Sequence, residues 1–282
     1  MEGIDFAGEQ DTNFIIVVND NDMSIAENHG GLYKNLKTLR ESKGTAECNL
    51  FKAFGLQYVY VDDGNDLKSL IKAFQSVKDT SRPTVVHINT EKGKGYKFAE
   101  EDKENWHWTM PFDIKTGKPK FDMSGENYGD LTCDFLMKKM KKDKAVTTIV
   151  AAVPTGIGFT KEKRDAAGKQ FIDVGIAEEH AIALASGIAK NGGKPVFSTH
   201  SSFMQRTFDQ LSQDLCINNS PATILVNTAS VYGMNDVTHL GLFDIPLISN
   251  IPNMVYLAPT NKSEYFAMLD WSIEQKNHPV AI

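Results

Sequence analysis

Residues 170–200 read QFIDVGIAEEHAIALASGIAKNGGKPVFSTH, and they indicate the architecture most directly. The segment QFIDVG predicts a strand, a helix is predicted over 178–190, and PVFSTHS predicts the next strand. A helix between two strands is typical of the right-handed crossover that joins parallel strands of one sheet. We therefore expect an α/β fold with parallel sheets flanked by helices.

The same alternation continues on both sides of this segment. The first half predicts the strands FIIVVND, QYVYVDD and TVVHINT, with a helix capped by Asp66 between the last two. The second half predicts helices over 128–140, 203–213 and 262–275 and the strands AVTTIVAAV, ATILVN, MVYLAP and PVAI. Periodicity fades over 91–127, which is long for a connection inside one domain. We expect two domains, 1–123 and 124–282, with a long connecting loop from about Glu91 and a boundary near Ser124.

Composition excludes several classes of partner. The chain of 282 residues has 30 Lys and Arg against 36 Asp and Glu, so its net charge is -6. A mildly acidic chain without a basic run lacks the footprint of a nucleic-acid or anionic-membrane protein. No apolar stretch approaches the ~18 residues of a membrane span. The three scattered cysteines, Cys48, Cys133 and Cys216, favour reduced thiols and a cytoplasmic location over a disulfide framework.

Polar segments follow the first and third predicted strands, where ligands bind in parallel sheets. The Asn and Asp side chains of NDNDMSI (19–25) offer oxygen ligands that suit Mg²⁺ bound with a phosphate. The same residues are also typical of a turn rich in Asx hydrogen bonds. In KGKGY (92–96), two glycines between lysines can bring backbone and charge near a diphosphate, or form a plain exposed turn.

Four further candidate residues follow strands of the second half. Glu178 begins an apolar helix, where burial would raise its pKa and let it hold or share a proton. The alternative is an ordinary first-turn glutamate that complements the helix dipole. Phe203 can present an aromatic face, with Arg206 one turn further on. His239, in the loop GMNDVTHLG, is a candidate proton donor or phosphate contact, although a lone loop histidine is often neither.

Five blocks in order resemble the 1-deoxy-D-xylulose 5-phosphate synthase family: NDNDMSIAEN, HINTEKGKGY, DVGIAEEHA, STHSSFMQRTFDQ and GMNDVTHLGLFDI. The resemblance implies two thiamine-diphosphate-binding-type domains that meet at a cofactor cleft, the first of diphosphate-binding type and incomplete, the second of pyrimidine-binding type. It implies thiamine diphosphate and Mg²⁺ as cofactors and a homodimer. The implied reaction condenses pyruvate with D-glyceraldehyde 3-phosphate, with loss of CO2, to a product that feeds isoprenoid, thiamine and pyridoxal phosphate biosynthesis.

The resemblance assigns cofactor contacts residue by residue. Asn21 matches a side-chain ligand of Mg²⁺, and Met23 matches a ligand that acts through its backbone carbonyl. Tyr96 matches a cofactor-contacting tyrosine, and Phe203 matches the aromatic residue that packs on the pyrimidine. Glu178 matches the glutamate that hydrogen-bonds N1′ of the aminopyrimidine, and so takes a catalytic role.

Further residues match positions around the substrate. Catalytic roles fall to His239 and to His107, which would make the long connection a wall of the active site. Arg206, His200 and His239 match substrate-binding positions.

The chain also departs from the family pattern. The upstream GDG segment and a C-terminal domain are missing, so we expect a fragment from the middle of a longer chain. Thr228 stands where many members have an Arg that holds the aldehyde's phosphate, Asn235 stands at an acidic position, and His200 replaces a commoner Tyr. Three alternatives remain open: ketol transfer of the transketolase type, a component of a 2-oxoacid dehydrogenase, and a catalytically incompetent truncated chain.

Overall fold

The computed structural model describes residues 2–121, 125–230 and 237–282. The chain forms two compact units, Met1–Met123 and Ser124–Ile282. Ser124, at the domain boundary that the sequence predicts, lies outside the described residues. No helix among the described residues is long and apolar enough to cross a membrane.

The first unit contains a parallel three-stranded sheet in the order β1-β3-β2. Its strands are β1 (Ile15–Asp20), β2 (Gln57–Val61) and β3 (Thr84–Asn89). Its helices are α1 (Glu2–Glu9), α2 (Gly31–Glu41), α3 (Leu50–Ala53), α4 (Leu67–Val77) and α5 (Lys97–Glu101). The predicted cap of α4 is confirmed, because a carboxylate oxygen of Asp66 accepts a hydrogen bond from the backbone N–H of Ser69 at 2.9 Å.

The central strand β3 separates two small cores. Val85 packs on one face with Leu39 of α2 and Phe51 of α3. Its neighbour Val86 packs on the other face with Val77 of α4. Adjacent residues of a strand point to opposite faces, so a continuous apolar run suits a strand that is covered on both sides.

The second unit contains a six-stranded parallel sheet in the order β5-β4-β6-β7-β9-β8. Its strands are β4 (Val146–Val150), β5 (Phe171–Asp173), β6 (Lys194–His200), β7 (Thr223–Asn227), β8 (Val255–Tyr256) and β9 (Val280–Ala281). Its helices are α6 (Tyr128–Lys142), α7 (Lys161–Ala167), α8 (Glu178–Lys190), α9 (Ser201–Met204), α10 (Asp244–Ser249) and α11 (Lys262–Glu274). The predicted α/β fold with parallel sheets is therefore confirmed.

Two cores lie on opposite faces of this sheet. Phe197 and Ile224 pack against Ile182 of α8, while Val196 and Leu225 point to the other face. All five side chains are buried. Burying such side chains contributes about 1.5–3 kcal/mol each, so the sheet and its helices hold the carboxyl ends of β5, β6 and β7 in place.

The predicted helix over 203–213 is wrong in detail. The structure has the short helix α9, then a 3₁₀ turn over Gln205–Thr207 and a π-helical segment over Gln210–Cys216. The buried hydroxyl of Thr207 donates to the carbonyl of Met204 at 2.8 Å, in competition with the regular helical pattern. The predicted strand over 146–153 is also shorter, because Ala152 has a positive φ of 62° that strands do not accommodate.

Candidate active site

Glu178 is the first residue of α8 and lies just beyond the carboxyl end of β5. It is only 3% exposed, because the apolar first turns of α8 place it against the core. Its Oε2 atom has no hydrogen-bond partner among the described residues, although Nη1 of Arg206 lies 3.3 Å away. Burial raises the pKa of Glu178, and the charge of Arg206 only partly opposes the shift. Glu178 is therefore a buried carboxyl group suited to hold or share a proton.

Arg206 links Glu178 to the next residue along α8. Its Nε donates to Oε1 of Glu179 at 2.8 Å, and about half of its side chain is exposed. One side of the guanidinium group thus contacts the carboxyl groups of Glu178 and Glu179, and its other side is exposed to solvent. Arg206, which the resemblance assigns to the substrate, therefore contacts Glu178.

His200, Phe203 and His239 form one aromatic cluster at the end of β6. The ring of Phe203 meets His200 at 5.3 Å and His239 at 5.4 Å between centroids, in both cases edge to face. Three residues that the resemblance assigns to the cofactor and substrate are therefore brought together. Asn235, from the same predicted loop as His239, lies outside the described residues.

Two threonines bind the imidazoles of this cluster. Nδ1 of His200 lies 2.8 Å from the hydroxyl of Thr228, and Nδ1 of His239 lies 2.8 Å from the hydroxyl of Thr238. Burial lowers the pKa of His200, and the neighbouring His239 lowers it further. His200 is thus a neutral imidazole near pH 7.

Sequence reasoning missed a group of buried hydroxyls on either side of His200. The Oγ atoms of Thr199, Ser201 and Ser202 are buried and lack hydrogen-bond partners among the described residues. Buried polar atoms without partners are uncommon and require an explanation, such as a ligand. The run STHSS could have indicated them, since it concentrates hydroxyls at the end of an apolar strand.

Asn21 follows β1 in the first unit, and its side chain turns back on the chain. Its Oδ1 accepts a hydrogen bond from the backbone N–H of Met23 at 3.1 Å. This is the Asx turn that the sequence left open as an alternative to metal binding. An amide oxygen has two acceptor sites, so the turn leaves one for a cation.

A buried hydrogen-bond network lies directly behind Asn21, and the sequence did not predict it. Oδ2 of Asp20 lies 2.6 Å from Nη1 of Arg40 and 2.9 Å from Nε2 of His87. On its other side His87 meets the hydroxyl of Tyr58 at 2.7 Å, and Arg40 also binds Asp22. Burial opposes ionisation of Asp20, but the hydrogen bonds from His87 and Arg40 outweigh it and hold its pKa below the usual range. The network anchors both residues that flank Asn21.

Lys92 joins the two polar segments of the first unit. Its ammonium group donates to the carbonyl oxygens of Ser24, at 2.8 Å, and Ile25, at 3.3 Å. The segments NDNDMSI and KGKGY are therefore in contact, although about 70 residues separate them. Partial burial lowers the pKa of Lys92.

Tyr96 and His107 lie in the same part of the first unit. The Tyr96 ring contacts Trp106 and Phe112, and its hydroxyl donates to the carbonyl of Ile114 at 3.1 Å. His107 is exposed by surface area, yet neighbouring atoms displace enough water to lower its pKa, and the charge of Lys92 adds to the shift. The predicted active-site loop thus carries an aromatic cluster and a histidine that is neutral near pH 7.

Two protein families match the chain. Residues 127–282 match the family described as "Transketolase, pyrimidine binding domain". Residues 1–49 and 42–90 match the family described as "1-deoxy-D-xylulose-5-phosphate synthase".

Curated proteins named 1-deoxy-D-xylulose-5-phosphate synthase match the full length of this chain. A 1-deoxy-D-xylulose-5-phosphate synthase from Clostridium botulinum (strain Alaska E43 / Type E3) is 35% identical over 317 residues, which cover 100% of this chain and 51% of that protein. One from Halothermothrix orenii is 33% identical, with 100% and 50% covered. A transketolase structure from Leishmania mexicana has a TM-score of 0.48 at 13% identity and covers 99% of this chain and 52% of that one. The chain spans about half the length of the curated relatives it matches.

Proposed function

The chain belongs to the 1-deoxy-D-xylulose-5-phosphate synthase family, a thiamine-diphosphate-dependent family of transketolase type, and on this premise we propose that it serves the condensation of pyruvate with D-glyceraldehyde 3-phosphate. The products would be 1-deoxy-D-xylulose 5-phosphate, a precursor for isoprenoids, thiamine and pyridoxal phosphate, and CO2. The observation that carries the proposal is the buried carboxyl group of Glu178, whose Oε2 has no hydrogen-bond partner among the described residues.

The residues around Glu178 fit an aminopyrimidine. A ring nitrogen of the aminopyrimidine needs a hydrogen-bond donor from the protein. The buried carboxyl group of Glu178, whose pKa is raised, would hold a proton and donate it from Oε2. Phe203 lies three residues before Arg206, which contacts Glu178, and its half-buried ring suits a flat heterocycle. The bound cofactor would supply the electron sink for loss of CO2, and the protein would supply orientation and proton handling.

We place the diphosphate and Mg²⁺ end of the cofactor in the first unit. Asn21, through Oδ1, and Met23, through its carbonyl, would offer two oxygen ligands. Two protein oxygens suit Mg²⁺, which commonly takes its other ligands from phosphates and water. Tyr96 would contact the cofactor with its ring. The acidic residues Asp20 and Asp22 are held by Arg40, and we assign them a positioning role behind Asn21.

The histidines and Arg206 would surround the substrates. His239 and His107 would transfer protons to or from substrate oxygens, since the ring nitrogens of an imidazole can donate or accept a proton. Arg206 would attract the carboxylate or phosphate of a substrate with the exposed half of its guanidinium. His200 would contact the substrate from the end of β6.

A homodimer in the cytoplasm is the setting we propose. Leu242, Phe243 and Ile245 are each at least half exposed beside the His239 turn, as expected of an interface. The three cysteines are free thiols, which suits a reducing compartment. Light scattering that gives a monomer at micromolar concentration would contradict the dimer.

The proposed reaction is tested by CO2 release from carboxyl-labelled pyruvate, with thiamine diphosphate and Mg²⁺ present. We expect release that depends on D-glyceraldehyde 3-phosphate and is abolished by Glu178→Ala. The matched control is Glu162→Ala, which removes an exposed glutamate from the first turn of α7 and leaves the reaction unchanged. Ketol transfer between sugar phosphates without pyruvate would support the transketolase alternative instead. Full activity of Glu178→Ala would contradict the assignment.

A further inference from the structure

The hydrogen-bond chain behind His200 determines which of its ring nitrogens carries the proton. The Thr228 hydroxyl lies 2.7 Å from the carbonyl oxygen of Asn227 and 2.8 Å from Nδ1 of His200. A carbonyl oxygen can only accept, so the single hydroxyl hydrogen is donated to Asn227. The hydroxyl oxygen is then an acceptor toward His200, whose Nδ1 must be the protonated nitrogen. In the neutral ring, Nε2 is left with a lone pair.

The backbone at Thr228 holds this arrangement at the cost of strain. Its φ is 51°, in the left-handed region that β-branched residues rarely occupy. Gly241 packs against it so closely that a Cβ there would approach the Thr228 carbonyl oxygen to 2.6 Å. Two backbone hydrogen bonds join Ser230 to Gly241. Residues that remain strained because their surroundings enforce it are concentrated at functional sites.

Nε2 of His200 lies beside Gly156, which carries no side chain. A Cβ built on Gly156, in the turn that follows β4, would lie 3.7 Å from Nε2. No described residue donates a hydrogen bond to this nitrogen. His200 ends the central strand β6, where ligands bind in parallel sheets. The acceptor nitrogen thus belongs to a partly exposed side chain at the ligand edge of the sheet.

We propose that Thr228 is a positioning residue that fixes His200 as a hydrogen-bond acceptor, and that His200 thereby recognises a hydroxyl group of the aldehyde substrate. The second part rests on the proposed function. Pyruvate, as an anion, has no O–H group, whereas a 2-hydroxyaldehyde has one next to its reacting carbon. Nε2 therefore favours a hydroxyaldehyde as the second substrate. Pyruvate has no hydrogen to donate to this nitrogen.

Nitrogen-15 NMR of the 282-residue chain, labelled at its seven histidines, tests the tautomer. The His200 signals are assigned from their loss in His200→Gln. We expect Nδ1 to be protonated and Nε2 unprotonated at neutral pH. Thr228→Val, which keeps the β-branched shape without the hydroxyl, should move most of the population to the Nε2–H tautomer, and Thr228→Ser should restore the original state. If Thr228→Val does not fold, Thr228→Ala and Thr228→Ser give the same comparison.

Ligand titration on the same samples tests recognition, with thiamine diphosphate and Mg²⁺ present. We compare D-glyceraldehyde 3-phosphate with 3-oxopropyl phosphate, which lacks the 2-hydroxyl group. The original chain should bind the hydroxylated aldehyde roughly tenfold more tightly and shift Nε2, and Thr228→Val should lose most of this preference. A protonated Nε2 in the original chain, a tautomer indifferent to Thr228→Val, or equal affinity for both aldehydes would each overturn the proposal. Absence of CO2 release from pyruvate would instead contradict the proposed function and leave the tautomer result standing.

Discussion

Removing the carboxylate of Asp20 should destabilise the first unit strongly. Asp20→Ala leaves the guanidinium of Arg40, whose side chain is 12% exposed, without its buried carboxylate partner at 2.6 Å. It also leaves the fully buried His87 without the oxygen that Nε2 meets at 2.9 Å. Removing one partner of a buried ion pair lowers the free energy of unfolding by roughly 3–5 kcal/mol. Arg40 keeps Asp22 as a second partner, so we expect the lower end, about 3 kcal/mol.

A double-mutant cycle isolates the Asp20–Arg40 interaction. Arg40→Ala leaves Asp20 with His87 and with the backbone N–H of Asp22, and should cost about 2 kcal/mol. Because both single variants lose the same pair, the double variant should be less destabilised than their sum by about 2 kcal/mol. Asp62→Ala, which removes an exposed partner of Lys43, is the matched control and should change little.

Tryptophan fluorescence in urea measures these differences in the first unit. A Trp271→Phe background removes the tryptophan of the second unit and leaves Trp106 and Trp108 as reporters. Asp20 has a lowered pKa, so its contribution should be complete above pH about 4 and disappear as the pH falls through the folded-state pKa. A coupling energy below about 0.5 kcal/mol would refute the reasoning, since additive variants do not share an interaction.

Three further predictions concern the second unit and the thiols. Because Glu178 is buried with a raised pKa, its ionisation opposes folding, so Glu178→Gln should stabilise the chain by about 1 kcal/mol at pH 7. In thermal unfolding this gain should shrink as the pH falls toward 4.5, and a constant gain would show another cause. Phe203→Ala should weaken thiamine diphosphate binding roughly tenfold in calorimetry, and unchanged affinity would exclude a stacking role. A thiol reagent should label the exposed Cys48 quickly but reach Cys133 and Cys216 only on unfolding, since burial raises their pKa to about 11 and about 12; three fast thiols would contradict this.

Local sequence signals predicted the elements that local forces dominate. The helix over 178–190 is confirmed because apolar residues at helical spacing, such as Ala181 and Ile182, define its buried face. The Asp66 cap is confirmed because it depends on a backbone N–H only three residues away. The strands are confirmed because parallel strands covered on both faces read as short apolar runs.

Contacts between distant residues could not be predicted in the same way. Asp20 and His87 are 67 residues apart and meet only because β1 and β3 pair in one register, with Val18 beside His87. His200 and Thr228 are 28 residues apart. Their hydrogen bond depends on a positive φ at position 228, which a threonine does not predict. The helix α2 was not predicted, because its many polar residues hide the spacing of its apolar ones. The π-helical segment was not predicted either, because the hydroxyl contact of Thr207 just before it interrupts the regular helical pattern.

Calorimetric titration of the chain with thiamine diphosphate in the presence of Mg²⁺ tests the central claim most directly. The claim is that Glu178 and Phe203 hold the aminopyrimidine end of the cofactor. We predict saturable binding by the original chain, unchanged affinity in the Glu162→Gln control, and at least tenfold weaker binding in Glu178→Gln. Equal affinity of Glu178→Gln and the original chain, or no binding by either, would contradict the claim.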